Sequence, residues 1–148
     1  MYLERKEDLS LYYFTKDLFS DASYIRIEDG YPESEIVIPT VAVNNGAIDG
    51  DKLELGNRKL YAERVWYFDI YAKTKSQRDE FAYRIFHALE ESVPVYDYDG
   101  GFPPDVVTQL GCLVPDKVRV EIIRIDPNLT DKLYYRAQVV YFAHNNKF

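Results

Sequence analysis

The stretch from Leu60 to Ala72 limits the fold most strongly, because its side chains change character at every second residue. Successive side chains of a strand point to opposite faces, so this pattern predicts one long strand with two unlike faces. The face that we expect to meet helices carries Ala62, Arg64, Trp66, Phe68, Ile70 and Ala72. The second face is mixed and rich in tyrosine, as suits a surface that a partner covers, and carries Tyr61, Glu63, Val65, Tyr67, Asp69 and Tyr71.

A helical period follows this strand. Apolar residues recur at every fourth position, which predicts an amphipathic helix, at Phe81, Ile85, Leu89 and Val93. Ser76 is expected to be the N-cap, with Asp79 completing a capping box. Pro94 is expected to end the helix, since proline cannot continue it.

The other elements are shorter or less regular. A first helix is predicted over Lys6 to Phe19, where apolar residues recur three and four positions apart. Ile36 to Val43 is rich in β-formers, but Pro39 donates no ladder hydrogen bond, so we expect an edge strand or a bend there. The remaining strands are predicted over Tyr24 to Ile27, Lys117 to Ile125 and Leu133 to Ala143, the last two as a hairpin.

The segments between these elements predict two long loops, over 44–57 and 94–116. The first contains the turn formers Asn45-Gly46 and Asp49-Gly50. The order helix, strands, helix, strands runs without internal repeat or Gly/Ser linker. We therefore predict one α+β domain over residues 1–148, with a mostly antiparallel sheet and two main helices packed on one face.

Composition excludes several classes of function. The 25 Asp and Glu outnumber the 18 Lys and Arg, and a net charge of −7 argues against a protein that grips phosphate groups. One cysteine cannot form a disulfide within the chain. The 14 tyrosines favour a surface that is wet in one state and covered in another, although a tyrosine-rich core is the alternative.

The residues that carry chemistry form no convincing catalytic set. His87 and His144 have no Cys or His neighbour at metal-ligand spacing. Asp97 and Asp99 resemble the start of a calcium loop, but Thr108 stands where an EF-hand needs glutamate. A small ligand-binding protein or enzyme that uses Asp97 and Asp99 stays open as an alternative. We otherwise expect no enzyme, no cofactor and no metal.

Several short sequence segments are similar to those of a known protein family. The chain resembles the small neck proteins of tailed bacteriophages, in particular the tail terminators of long-tailed phages. The resemblance covers residues 36–105 and, by topology, the closing hairpin. The pattern associated with this family is a strand that ends in the sequence aspartate, aliphatic, aromatic, alanine, followed by a helix that contains an Arg-Asp pair. The segments lie at Ile38–Val41, Leu53–Asn57, Phe68–Lys73, Ser76–Ala82, Val95–Asp99 and Gly101–Pro104.

The resemblance implies a structural virion protein without enzymatic activity. Tail terminators form hexameric rings that cap the tail tube and join it to the head, and the genome passes through the ring. The implied partners are further copies of the chain, the tail tube protein and the connector proteins of the neck, with no membrane. The implied location is the virion neck, assembled in the cytoplasm of the bacterial host. A head-completion or stopper ring of the neck is the open alternative.

Two sets of residues follow as hypotheses for this role. Subunit contacts are expected at Tyr61, Tyr67, Tyr71, Tyr134 and Val41. An acidic wall repels the DNA backbone, so acids in two loops are expected to line the lumen or reach the next ring, namely Asp49, Asp51, Asp97 and Asp99.

Overall fold

The computed structural model describes residues 1–30, 37–51, 61–101, 104–123 and 135–147. It confirms a single-domain α+β fold with a mostly antiparallel, curled sheet. The helices are α1 (Leu3–Leu18) and α2 (Lys75–Ala88). The strands are β1 (Arg26–Asp29), β2 (Thr40–Asp51), β3 (Tyr61–Ala72), β4 (Val93–Tyr96), β5 (Gln109–Ile123) and β6 (Tyr135–Lys147).

The strands form one sheet in the order β1-β2-β3-β6-β5-β4. Among the described strands, only β1 and β2 pair in parallel, and the predicted antiparallel pairing of β5 with β6 is confirmed. Both helices pack on one side, which we call the core face, and the opposite side is the open face. In the described part of the chain, neither helix covers the open face. The two faces therefore differ, as the alternation in β3 predicts.

The core forms where the apolar face of β3 meets the helices. Trp66, Phe68 and Ile70 are fully buried. They share one apolar cluster with Leu11 of α1 and Phe81 of α2. Because both helices contribute to the same cluster, they fix the orientation of the sheet's two faces. Within the described residues, no helix is long and apolar enough to cross a membrane.

Helix α2 begins and ends earlier than predicted. Thr74, and not Ser76, is the N-cap, because its Oγ1 accepts a hydrogen bond of 3.1 Å from the Gln77 backbone N–H. The Gln77 side chain in turn accepts from the Lys73 backbone N–H at 2.9 Å. The helix ends at Ala88, and Pro94 lies within β4, where the edge position tolerates a proline. Pro94 is therefore not the helix stop.

Strand β2 confirms the bend predicted at Pro39 but differs from the prediction in its length. Residues 38–39 form a bend just before its first residue, and over Thr40 to Val43 it is not an edge strand, because β1 and β3 flank it there. The predicted loop over 44–57 is wrong as far as Asp51, since β2 continues there. A register shift replaces the turn expected at Asn45-Gly46. A Cβ at Gly46 would lie 2.6 Å from Cε2 of Tyr67, so this approach requires glycine.

The second predicted loop is also shorter than expected. Strand β4 includes residues 94–96, and β5 begins at Gln109. The segment between them is tied to β4, since the Asp97 backbone N–H donates to the Thr108 carbonyl at 2.9 Å. The rest of the first predicted loop, residues 52–57, lies outside the described residues.

Candidate functional site

The open face carries an acidic cluster at one end. Register places Asp49 of β2 beside Glu63 of β3, and Glu63 beside His144 of β6. Asp116 reaches the same place from β5, at the register shift after Pro115, and its Oδ1 lies 2.9 Å from Nδ1 of His144. Four strands therefore bring three carboxylates and one imidazole together, which we call the acidic end.

Electrostatics at the acidic end disfavour ionisation of Glu63. The pKa of Glu63 is raised, first by desolvation and then by the neighbouring Asp116 and Asp49 carboxylates. His144 acts in the opposite direction and lowers the pKa of Glu63. A group of like charges that repel one another in the free chain also repels an approaching polyanion.

The centre of the open face is a buried hydrogen-bond network around Asp69. This carboxylate is fully buried and accepts from Asn44 Nδ2 at 2.7 Å and from Gln138 Nε2 at 3.0 Å. The nearest cation is Arg136, whose Nη2 lies 3.9 Å from Asp69 Oδ1. Arg136 also stacks on the ring of Tyr71. The network joins β2, β3 and β6, so it holds the register of the central strands.

The two predicted lumen loops do not come together. Asp49 is exposed on the open face, as a lumen residue would be. Asp97 and Asp99 instead lie beside α1, where Lys6 Nζ is 3.0 Å from Asp97 Oδ1 and 2.9 Å from Asp99 Oδ2. The side chain of Asp51 lies outside the described residues.

One cation between Asp97 and Asp99 also bears on the ligand-binding alternative. Hydrogen bonds from Lys6 contribute most to holding the pKa of Asp99 below its usual value. The ammonium group occupies the place between the carboxylates that a bound cation would need. Among the described residues, no group of three or more His, Cys, Asp or Glu is arranged to hold a metal.

The predicted subunit contacts also divide. Tyr67 is half-buried on the open face and keeps surface for a neighbour. Tyr71 is only 4% exposed, and Val41 is fully buried in the core, so neither offers free surface in the folded chain. Their burial disfavours both residues as subunit contacts, and the set of contact residues stays a prediction. Tyr134 and the side chain of Tyr61 lie outside the described residues.

Sequence reasoning missed the buried charges on the core face. Arg64 was expected there as an exception, but its partners were not. Its Nη1 lies 3.1 Å from Glu7 Oε1 and its Nη2 lies 3.0 Å from Asp8 Oδ1. Its guanidinium stacks on the ring of Trp66, 4.4 Å from the centroid. The signal was available in the sequence, since a charge on an apolar strand face needs partners.

The described residues form an α+β sheet domain with helices on one face and, on the other face, no described helix and a group of acids at one end. No protein-family model and no curated protein matches the chain. A function for this chain must therefore be inferred from the geometry of the open face and from the resemblance of the sequence to phage neck proteins.

Proposed function

We propose that the chain is a structural subunit of the neck of a tailed bacteriophage, a tail terminator that forms a ring on the tail tube. The observation that supports this most is the open face, which is free of helices in the described residues and ends in Asp49, Glu63 and Asp116. A ring whose subunits turn this face inward has acids on its channel wall and helices on its outer surface.

Charge repulsion is the useful property of such a wall. DNA carries a dense row of phosphates, and basic channels bind it tightly in a salt-dependent manner. An acidic end contributed by every subunit repeats around the channel and lets the genome pass without binding. The chain's net charge of −7 is in keeping with this role. We propose a hexamer that caps the tube, joins it to the connector proteins and resides in the virion.

A head-completion or stopper ring remains the second candidate, because it needs the same inward acidic face. The two roles differ in position, since a terminator contacts the tail tube and a stopper contacts the portal side of the neck. Asp97 and Asp99 lie at the N-terminal turn of α1, away from the open face, and are proposed to face the adjoining ring. Their compensation by Lys6 disfavours the ligand-binding alternative.

The first experiment tests ring formation and position. We expect light scattering on the purified chain, alone or with headless tail tubes, to detect a ring-sized species or chain bound at one tube end. Electron microscopy of a neck should then place the helices outside and Asp49 toward the channel. A chain that neither self-associates nor binds tubes or portals would contradict the proposal.

Two tyrosines of the same strand provide a matched test of the contact surface. Tyr67→Ala should weaken ring assembly while changing monomer stability little, because Tyr67 is half-buried. Tyr71→Ala should instead cost about 3 kcal/mol or more of monomer stability, as truncating a buried ring does. Urea unfolding and light scattering on both variants separate the two effects. An equal loss of monomer stability in the two variants would show that Tyr67 packs within the monomer and is not a subunit contact.

A further inference from the structure

Two strands of the sheet each have a side that no described strand pairs with. Strand β4 pairs with β5 only between Gln109 and Leu113, so β5 continues to Ile123 with β6 alone beside it. In the same way, β1 pairs with β2 only over Thr40 to Val43, and β2 continues to Asp51 beside β3 alone. We call Lys117–Ile123 the β5 edge and Ile48–Asp51 the β2 edge.

Unpaired strand edges are templates for another strand, and proteins usually protect them. The β5 edge carries the charged side chains of Lys117, Arg119 and Glu121, which are one such protection, but it lacks the other common one, proline. Proline occupies β4 at Pro94, and Pro115 precedes a register shift in β5, but the β5 edge beyond that shift pairs regularly with β6 as far as Ile123. A regular edge that carries no proline is suited to strand addition by a partner.

On the core face, both edges present apolar side chains at the limit of what the helices cover. Val118 and Val120 pack only partly against the core, and Ile122 is 40% exposed. On the β2 edge, Ile48 lies opposite Arg64 and so also belongs to the core face, where it is 48% exposed. A strand added with its core face on the same side would cover these side chains together.

On the open face, the same two edges carry opposite charges. Lys117, Arg119 and Glu121 project from the β5 edge, since they lie in register with open-face residues of β6. Arg119 Nη2 lies 3.2 Å from Glu121 Oε1, so the edge carries a net single positive charge, centred on Lys117. Asp49 projects from the β2 edge beside Glu63. Apolar side chains therefore match on one face and charges match on the other, in a single relative orientation of the two edges.

We propose that the β5 edge of one copy of this chain pairs with the β2 edge of the next, so that the sheet continues from subunit to subunit. This inference rests on the ring of the proposed function and states how the ring closes. The contact is heterologous, because it joins two different edges, and such contacts generate rings when the rotation closes. All open faces then point to one side, toward the channel, and all helices to the other.

Disulfide cross-linking tests this arrangement directly. In a Cys112→Ser background, one chain carries Asp49→Cys and another carries Arg119→Cys. Under mild oxidation we expect covalent dimers from the mixture and none from either chain alone. A chain with both cysteines should give a ladder of oligomers that ends at the ring's subunit number. The matched control pair, Asp17→Cys with Glu90→Cys on exposed helix positions, should give no ladder.

Charge reversal supplies a second measurement that does not depend on cysteine geometry. Arg119→Asp or Asp49→Arg alone should weaken self-association about tenfold, which corresponds to about 1.4 kcal/mol. The double variant should restore association, because it re-creates the opposite pair with the signs exchanged. Circular dichroism on each variant confirms that the fold is kept.

The outcomes separate this inference from the proposed function. The edge pairing would be overturned, but the ring would not, if rings form while the mixture gives no cross-links and charge reversal does not change their assembly. Cross-linking of the Arg119→Cys chain with itself would show a two-fold β5 contact and also overturn it. A chain that stays monomeric, alone and on tail tubes, would contradict both proposals.

Discussion

Strand β3 buries one charged side chain on each side of the sheet, and the two side chains have different kinds of partner. Arg64, 3% exposed on the core face, meets two carboxylates of α1. Asp69, fully buried on the open face, is held mainly by the neutral amides of Asn44 and Gln138. The first cluster joins a helix to the sheet through full charges, whereas the second joins strands through hydrogen bonds.

This difference indicates what each cluster does for the fold. Removing one partner of a buried ion pair leaves an uncompensated charge, which is more costly than losing a hydrogen bond to a neutral group. The Arg64 cluster therefore governs the docking of α1. The Asp69 network governs the register of β2, β3 and β6, on which the position of the acidic end depends.

The largest effect is expected from Arg64→Met. The substitution keeps the length of the side chain but leaves Glu7 and Asp8 buried without their cation, at a cost of about 3–5 kcal/mol. Urea unfolding at neutral pH measures it. Lys73→Met, at an exposed position after β3, is the control and should change stability by less than about 0.5 kcal/mol. A loss at Arg64 as small as at Lys73 would mean that the two carboxylates regain water.

A smaller effect is expected from Asp69→Asn. The amide keeps the shape of the carboxylate but turns one acceptor into a donor that faces the Asn44 or Gln138 amide, which costs about 1–3 kcal/mol. The same unfolding experiment applies, with Asp105→Asn at an exposed loop position as control. A loss greater than that of Arg64→Met would reverse the comparison between the two clusters.

The smallest effect is a dependence on pH at Glu7. Burial raises the pKa of Glu7 more than Arg64 lowers it, since one guanidinium serves two carboxylates. A carboxyl group with a higher pKa in the folded state stabilises the fold below its unfolded pKa, and this contribution is lost as pH rises through the folded pKa. Wild-type stability relative to Glu7→Gln should therefore increase as pH falls from about 7 to about 4, by at most about 1.4 kcal/mol per unit of pKa shift.

Urea unfolding of both chains at several pH values measures this change. Asp17→Asn, on the exposed side of α1, is the control, and its difference from wild type should vary less over the same range. A stability of wild type that falls relative to that of Glu7→Gln on acidification would show that Arg64 dominates the titration of Glu7.

The periodic elements were predictable because their signals are local. The alternation in β3 correctly separates the apolar face from the mixed face, although Val65, Asp69 and Tyr71 of the mixed face are buried too. The four-residue period in α2 is confirmed at Phe81 and Ile85, whereas Val93 lies in β4. The boundaries of the elements were less predictable. Thr74 and Ser76 are both good caps, and only the hydrogen bond to the Gln77 backbone decides between them. The Asn45-Gly46 turn signal marks an irregularity within β2, because a glycine next to Tyr67 and a glycine in a turn look alike in sequence.

An acidic α+β domain with one apolar and one mixed sheet face could be predicted from the sequence alone, because charge, period and alternation are properties of neighbouring residues. The tertiary contacts were needed to find that Asp116 joins Glu63 at the acidic end, that Lys6 compensates Asp97, and that Tyr71 is buried on the open face. Those contacts bring together residues far apart in the chain, and strand order and register, which no local pattern encodes, decide which of them meet.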